Sequence, residues 1–151
     1  MKQKLPEPML LAFAQAEAAA GRGEVPIGAV IVSPTGEILA SAGNRTLEDK
    51  DPTAHAELLA IRAAAKAMGS ERLTNCDLYV TLEPCAMCAA AISFARIRRI
   101  YFAAGDEKMG AVEHGSRFFT QPTCHHVPEV YSGIGEAEAK VMLIDFFKAR
   151  R

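Results

Sequence analysis

Residues 77–103 read DLYVTLEPCAMCAAAISFARIRRIYFA, and this run decides the fold. Asp77 to Leu82 has the apolar, β-rich character of a strand. Pro84 suits the first turn of a helix, where a missing N–H is tolerated, and the Ala-rich stretch behind it carries the helix to about Ala95. Arg99 to Ala103 is a strand again. Strand, helix and strand in alternation point to an α/β fold.

The same reading extends in both directions. Pro8 to Gly21 is an Ala-rich amphipathic helix, ended by Gly21 and Gly23. Val25 to Ser33 is β-branched and apolar, hence a buried strand. Ser33-Pro34-Thr35-Gly36 makes a turn, and Glu37 to Ala42 pairs back as a second strand. Gly43 to Thr53 is loop. A helix runs from about Ala54 to Met68 and stops at Gly69. Beyond Ala103, the span from Asp106 to Pro128 is irregular, with a short helix and a last strand nearby. Gly135 to Arg150 closes as a helix with an apolar stripe of Ala139, Leu143 and Phe146. The expected architecture is a three-layer α/β/α sandwich around one mixed five-stranded sheet, with 1–151 forming one domain. Sites in such sheets form where strand ends meet helix starts.

The chain has 151 residues, 50% hydrophobic and 23% charged, which is the balance of a soluble globular domain. No apolar run approaches a membrane span. Met1 to Leu5 is too short and polar ahead of Pro6 for an export signal, so the expected compartment is the cytoplasm. A net charge of −1 excludes a protein that wraps nucleic acid through a basic surplus. Any such contact must come from local clusters, Arg96, Arg98 and Arg99 or Lys148, Arg150 and Arg151, and charge alone reads these as solvated helix ends. Without an export signal the four cysteines point to metal or catalysis rather than disulfides.

Two segments carry the chemistry. Cys85 and Cys88 stand three apart at a helix start, so they share one face. A helix N-terminus favours thiolate, the form that binds zinc. A redox dithiol or a structural zinc ribbon would use the same spacing, but a ribbon needs a second Cys pair, and Cys76 and Cys124 are isolated. His55, at the start of another helix, supplies a third ligand. Three protein ligands leave one tetrahedral position for water, and a metal brings such a water to a pKa of about 7. Glu57, two residues past His55, is close enough to reach that water without replacing it, which suits a proton shuttle. Taken singly, a His at a helix start is a cap and a Glu in a first turn answers the dipole. Together they make H-x-E…P-C-x-x-C, the signature of zinc nucleobase deaminases.

The rest of the chain agrees. With Glu24-Val25-Pro26-Ile27-Gly28-Ala29-Val30, Gly43-Asn44-Arg45, Asp51 to Glu57, Leu78 to Cys85, Ala95-Arg96-Ile97, then Asp106, Lys108, Gly110, Ala111 and the Phe146-Phe147 tail helix, it resembles the bacterial tRNA-specific adenosine deaminases. These are a branch of the cytidine deaminase-like superfamily. The resemblance implies a cytidine deaminase-like fold, one zinc per chain, and conversion of adenosine to inosine at the wobble position of an arginine tRNA anticodon. It implies a homodimer in which both subunits bind the anticodon loop. It also implies that Asn44 hydrogen-bonds the flipped-out base, that the Ala56 backbone holds the base edge, and that Ile27 and Val30 wall the pocket. Lys108 and Arg96 are candidate RNA contacts. Many members read Asn-His in the late irregular segment, where His125-His126 stands here, so His125 would have to take that contact. Cys124-His125-His126 reads as a loop rather than a second metal site. Glu83 is placed to hold its loop, Cys76 to fill core, and Met87 to pack on the sheet. A small-molecule deaminase of guanine, cytosine or a nucleotide shares the same signature. A noncatalytic RNA-binding subunit stabilised by zinc would have no use for Glu57.

Overall fold

The alternation read from the sequence is present in the computed structural model of the chain, which describes residues 4–150. Met1 to Gln3, part of the N-terminal segment, and Arg151, the last of the C-terminal basic cluster, lie outside the described residues. The elements are α1 (Glu7–Gly21), β1 (Gly28–Val32), β2 (Ile38–Gly43), α2 (Ala56–Met68), β3 (Asp77–Leu82), α3 (Ala86–Phe94), β4 (Arg99–Ala104), a 3-10 turn (Phe118–Thr120), β5 (Glu129–Tyr131) and α4 (Glu136–Lys148).

One five-stranded sheet runs in the order β2-β1-β3-β4-β5. Its β2/β1 and β1/β3 pairs are antiparallel, and its β3/β4 and β4/β5 pairs are parallel, so the sheet is mixed. Alternation along the strands splits the core into two layers. Ala29, Ile31, Leu78, Val80, Ile100 and Phe102 face α2 and α3, meeting Ala56, Ala60, Ala89 and Ile92. Val30, Val32 and Ala103 face α1 and α4, meeting Met9, Ala12, Phe13 and Ala139. Tyr79, Tyr101 and Tyr131 stack on this second face, ring on ring, at 4.4 and 5.0 Å. Gly28 lets α1 lie directly on β1, since a Cβ there would stand 1.8 Å from the Ala12 carbonyl oxygen.

Three boundaries differ from expectation, for backbone reasons. β1 starts at Gly28 rather than Val25, because Pro26 has no N–H to give a ladder and Ile27 N donates locally to Val25 O. α2 starts at Ala56 and α3 at Ala86, so His55 and Cys85 are N-caps in extended conformation, not first-turn residues. Pro84 stays outside its helix because its carbonyl accepts Ala111 N and Cys85 pairs with Gly110 as an isolated β-bridge.

Candidate metal centre

α2 and α3 begin side by side on the same face of the sheet, and their caps converge. His55 Nδ1 lies 3.7 Å from Cys85 Sγ and 3.6 Å from Cys88 Sγ. All three donor atoms fall within 4.8 Å of one another. Bonds of about 2.3 Å to sulfur and 2.0 Å to nitrogen in a tetrahedron put sulfur and nitrogen about 3.5 Å apart, so this set fits zinc. No fourth His, Cys, Asp or Glu joins it among the described residues.

In the metal-free chain the three donors share their protons unequally. Hydrogen bonds from Cys88 and then His55 bring the Cys85 thiol down to about 4, against the opposing effect of burial. Cys88 is raised, because it donates to Cys85 and is buried. His55 is raised by its hydrogen bond to Cys85. Glu57 sits just inside, 4% exposed. Burial, with the Cys85 charge adding to it, pushes its carboxyl up to about 7.

A cleft of about 460 Å³ opens over the centre, lined by His55, Cys85, Met87, Lys108, Met109 and Ser116 among others. Met87 therefore faces the cleft rather than packing on the sheet as expected. Asn44 is buried, and its Oδ1 accepts the Ala56 N–H at 2.8 Å, which ties the first helical amide of α2 to the end of β2. The Ala56 amide is thus engaged by Asn44, while Asn44 Nδ2 makes no hydrogen bond among the described residues. Ile27 is half-buried against the α2/α3 layer, on the side of the metal centre.

Val30 does not belong to the pocket wall. It is fully buried in the α1/α4 layer, because residues three apart in extended chain point to opposite faces and Ile27 already faces the site. Arg96 lies at the far end of α3 in a left-handed backbone conformation, beside Arg72, Arg98 and His126. His125 is exposed. His126 bonds Ile97 O at 2.7 Å, and Cys124 bonds the His126 carbonyl and Ser93, so these residues form a local turn and no metal cluster. Cys76 is core, against Met68.

Two buried carboxylates hold the loops around the centre. Glu24 accepts the amides of Leu47 and Glu48 and the hydroxyl of Thr46, fixing the loop that leads to His55. Glu83 accepts from the other loop, Asp106 to His114. His114, which took no part in the sequence reading, bonds Glu83 at 2.6 Å. No spacing rule marks it, since it lies far from Glu83 along the chain.

The chain matches the family described as the cytidine and deoxycytidylate deaminase zinc-binding region over residues 2–104. It is 60% identical over 143 residues to the tRNA-specific adenosine deaminase of Agrobacterium fabrum, covering 95% of this chain and 93% of that one. A solved structure from studies of A-to-I editing by tRNA:A34 deaminases at the wobble position of transfer RNA superposes with a TM-score of 0.88 at 61% identity, covering 90% of this chain and 98% of the other. A guanine deaminase from Nitrosomonas europaea superposes with a TM-score of 0.80 at 19% identity, over 96% of this chain and 86% of that one, a likeness of fold alone.

Proposed function

Because the chain belongs to the tRNA-specific adenosine deaminases, within the family of the cytidine and deoxycytidylate deaminase zinc-binding region, we propose that it hydrolyses adenosine to inosine at the wobble position of a tRNA anticodon. The observation that carries this reading is the buried Glu57 carboxyl beside a three-donor set that leaves one tetrahedral position open.

His55, Cys85 and Cys88 would hold one zinc. When bound, it supplies a water acid enough to attack near neutral pH. Glu57 would take one proton from the attacking water on a carboxylate oxygen and give it to the ring nitrogen. It would then take the proton of the new C6 hydroxyl and give it to the leaving amine, so that ammonia departs and the C6 oxygen is left as the carbonyl of inosine. In the metal-free chain burial brings this carboxyl up to about 7, a range in which it can both take and release a proton. Asn44, held by Ala56 and with Nδ2 free, is suited to hydrogen-bond a base turned out of its stack. Ile27 would form part of the wall.

Lys108 lines the cleft and is the RNA contact nearest the chemistry. Arg96 and His125 lie away from it and would meet phosphate farther along the stem. An arginine tRNA as substrate and residues 1–151 working as one domain complete the reading. A homodimer is supported by Phe94, 72% exposed at the end of α3, where an apolar ring without cover favours a partner surface. No helix of the described residues is long and apolar enough to cross a membrane, which agrees with a cytoplasmic setting.

The test offers zinc-loaded protein an anticodon stem-loop carrying adenosine at the wobble position, with free adenosine, guanine and cytosine in parallel. Mass spectrometry is expected to find inosine in the RNA. Conversion of a free base alone would make the protein a metabolic deaminase. Equilibrium sedimentation at the assay concentration checks the dimer.

A further inference from the structure

The segment Gly105 to Ser116 brings Lys108, Met109, Gly110, Ala111 and Ser116 to the cleft, yet its only β-pairing is the single bridge of Gly110 to Cys85. A loop of this length without ladder bonds is normally mobile. Here its backbone is gathered onto one side chain. Glu83 is fully buried. Its Oε1 accepts Asp106 N at 3.0 Å and His114 Nδ1 at 2.6 Å. Its Oε2 accepts the amides of Val112, Glu113 and His114 at 3.0, 2.9 and 3.1 Å. An ionised carboxylate has about four lone-pair sites, so five donors saturate it.

The packing around that carboxylate leaves no slack. A Cβ on Gly110 would stand 2.5 Å from Glu83 Cδ and 2.4 Å from the Asp106 carbonyl oxygen. The chain on the other side of Glu83 runs straight into Pro84 and Cys85, whose backbones take Ala111 N and Gly110. One glutamate therefore joins the turn that bears a metal ligand to the loop that rims the cleft. What the loop presents outward is Lys108 and Met109, the latter 68% exposed. None of Glu83's hydrogen bonds reaches His55, Glu57 or a cysteine sulfur.

We propose that Glu83, seconded by His114, is a positioning residue for the RNA substrate: its carboxylate sets the height of the Lys108–Met109 rim above the metal centre, so that binding of the anticodon loop depends on it while the chemical step does not. This rests on the deaminase reading. A group that merely propped up the metal ligands would act on zinc content and turnover. A group that sets the rim acts on KM.

The experiment compares zinc-loaded wild type, Glu83→Gln, His114→Ala and His114→Asn on the stem-loop RNA, with zinc content and backbone amide exchange measured on each. Glu83→Gln faces a donor toward donors, and KM is expected to rise about tenfold with kcat held within about twofold. His114→Ala removes one of five bonds, and a KM rise of about threefold is expected. In His114→Asn the amide Nδ2 takes the place of the imidazole Nδ1, so KM returns to the wild-type value. The amides of Val112 and Glu113 exchange faster in Glu83→Gln, with zinc still near one per chain. Loss of zinc, a fall in kcat at unchanged KM, or His114→Asn behaving as His114→Ala overturns the proposal. Should Glu83→Gln fail to fold, the His114 pair decides alone. If wild type forms inosine and these effects are missing, only the positioning role falls. Wild type that forms none sinks the deaminase reading, and this with it.

Discussion

Glu57 is where burial and chemistry pull against each other. The folded protein prefers its protonated carboxyl, because burial raises the pKa from 4.5 to about 7. Stability from this group is therefore fully present below 4.5 and is lost as pH rises through about 7. Glu57→Gln removes the titration. In metal-free protein at pH 8 this variant is expected to be more stable than wild type, by an amount on the order of 1–3 kcal/mol. With zinc it should keep the metal and lose turnover by about 10³-fold or more. Denaturant melts and inosine yield check the two halves, and substantial residual deamination would remove Glu57 from the proton path. The metal ligands make a second prediction. His55 and Cys88 hold protons that zinc must displace, so zinc uptake should release protons and weaken steeply as pH falls, which titration calorimetry in buffers of different ionisation enthalpy reads directly. Glu57, His55, Cys85 and Cys88 were legible in the sequence because metal and proton chemistry need fixed residue types at fixed spacing. The assignment of Val30 to the pocket wall came from the resemblance alone, and strand alternation turns that side chain to the α1/α4 layer instead.

At the scale of elements, helix starts and loops make the site. His55 and Cys85 were expected inside their helices and stand one step before them, in extended backbone. The sequence marks that a helix begins near a Pro or a small residue, but the first residue to be helical is decided by tertiary pairing, for α3 the bridge of Cys85 to Gly110. The conformation of the Gly105 to Ser116 loop was legible only as irregular, since four of the five donors that hold it are main-chain amides, which are the same in every residue. Gly110→Ala should therefore disorder the rim more than its small size suggests, seen as faster amide exchange across Asp106 to His114. The clamp also has a pH window. Burial opposes ionisation of Glu83, but the Asp106 amide, His114 and the amides of Val112 and Glu113 outweigh it and lower its pKa. Its stabilisation is present above 4.5 and lost as pH falls through the lowered value. The carboxylate raises His114, whose contribution is full below 6.5 and lost as pH climbs through the raised value. Protection factors of the Val112 and Glu113 amides should thus peak between 4.5 and 6.5. Protection that rises steadily across that range would argue against the pairing.

For the whole molecule, the sequence carried the layer order better than the site's walls. Alternating apolar runs and Ala-rich helices determine an α/β sandwich largely by themselves, whereas how closely α1 lies on β1 depends on a single missing methyl at Gly28. Gly28→Ala puts that methyl against the Ala12 carbonyl, and a loss of about 3 kcal/mol or more in a denaturant melt is expected. A loss under about 1 kcal/mol would mean the helix can ride outward without disturbing the sheet. The tyrosine stack has a consequence of another kind. The chain has no tryptophan and three tyrosines, and all three stand in that stack across β3, β4 and β5. Its near-ultraviolet emission therefore has a single origin, on the parallel half of the sheet. Emission reports when those strands part and is blind to the β1–β2 hairpin, which circular dichroism still sees. If the two signals lose their native value at the same temperature, the sheet opens as one unit, and if emission moves first, the parallel half carries its own light-readable hinge.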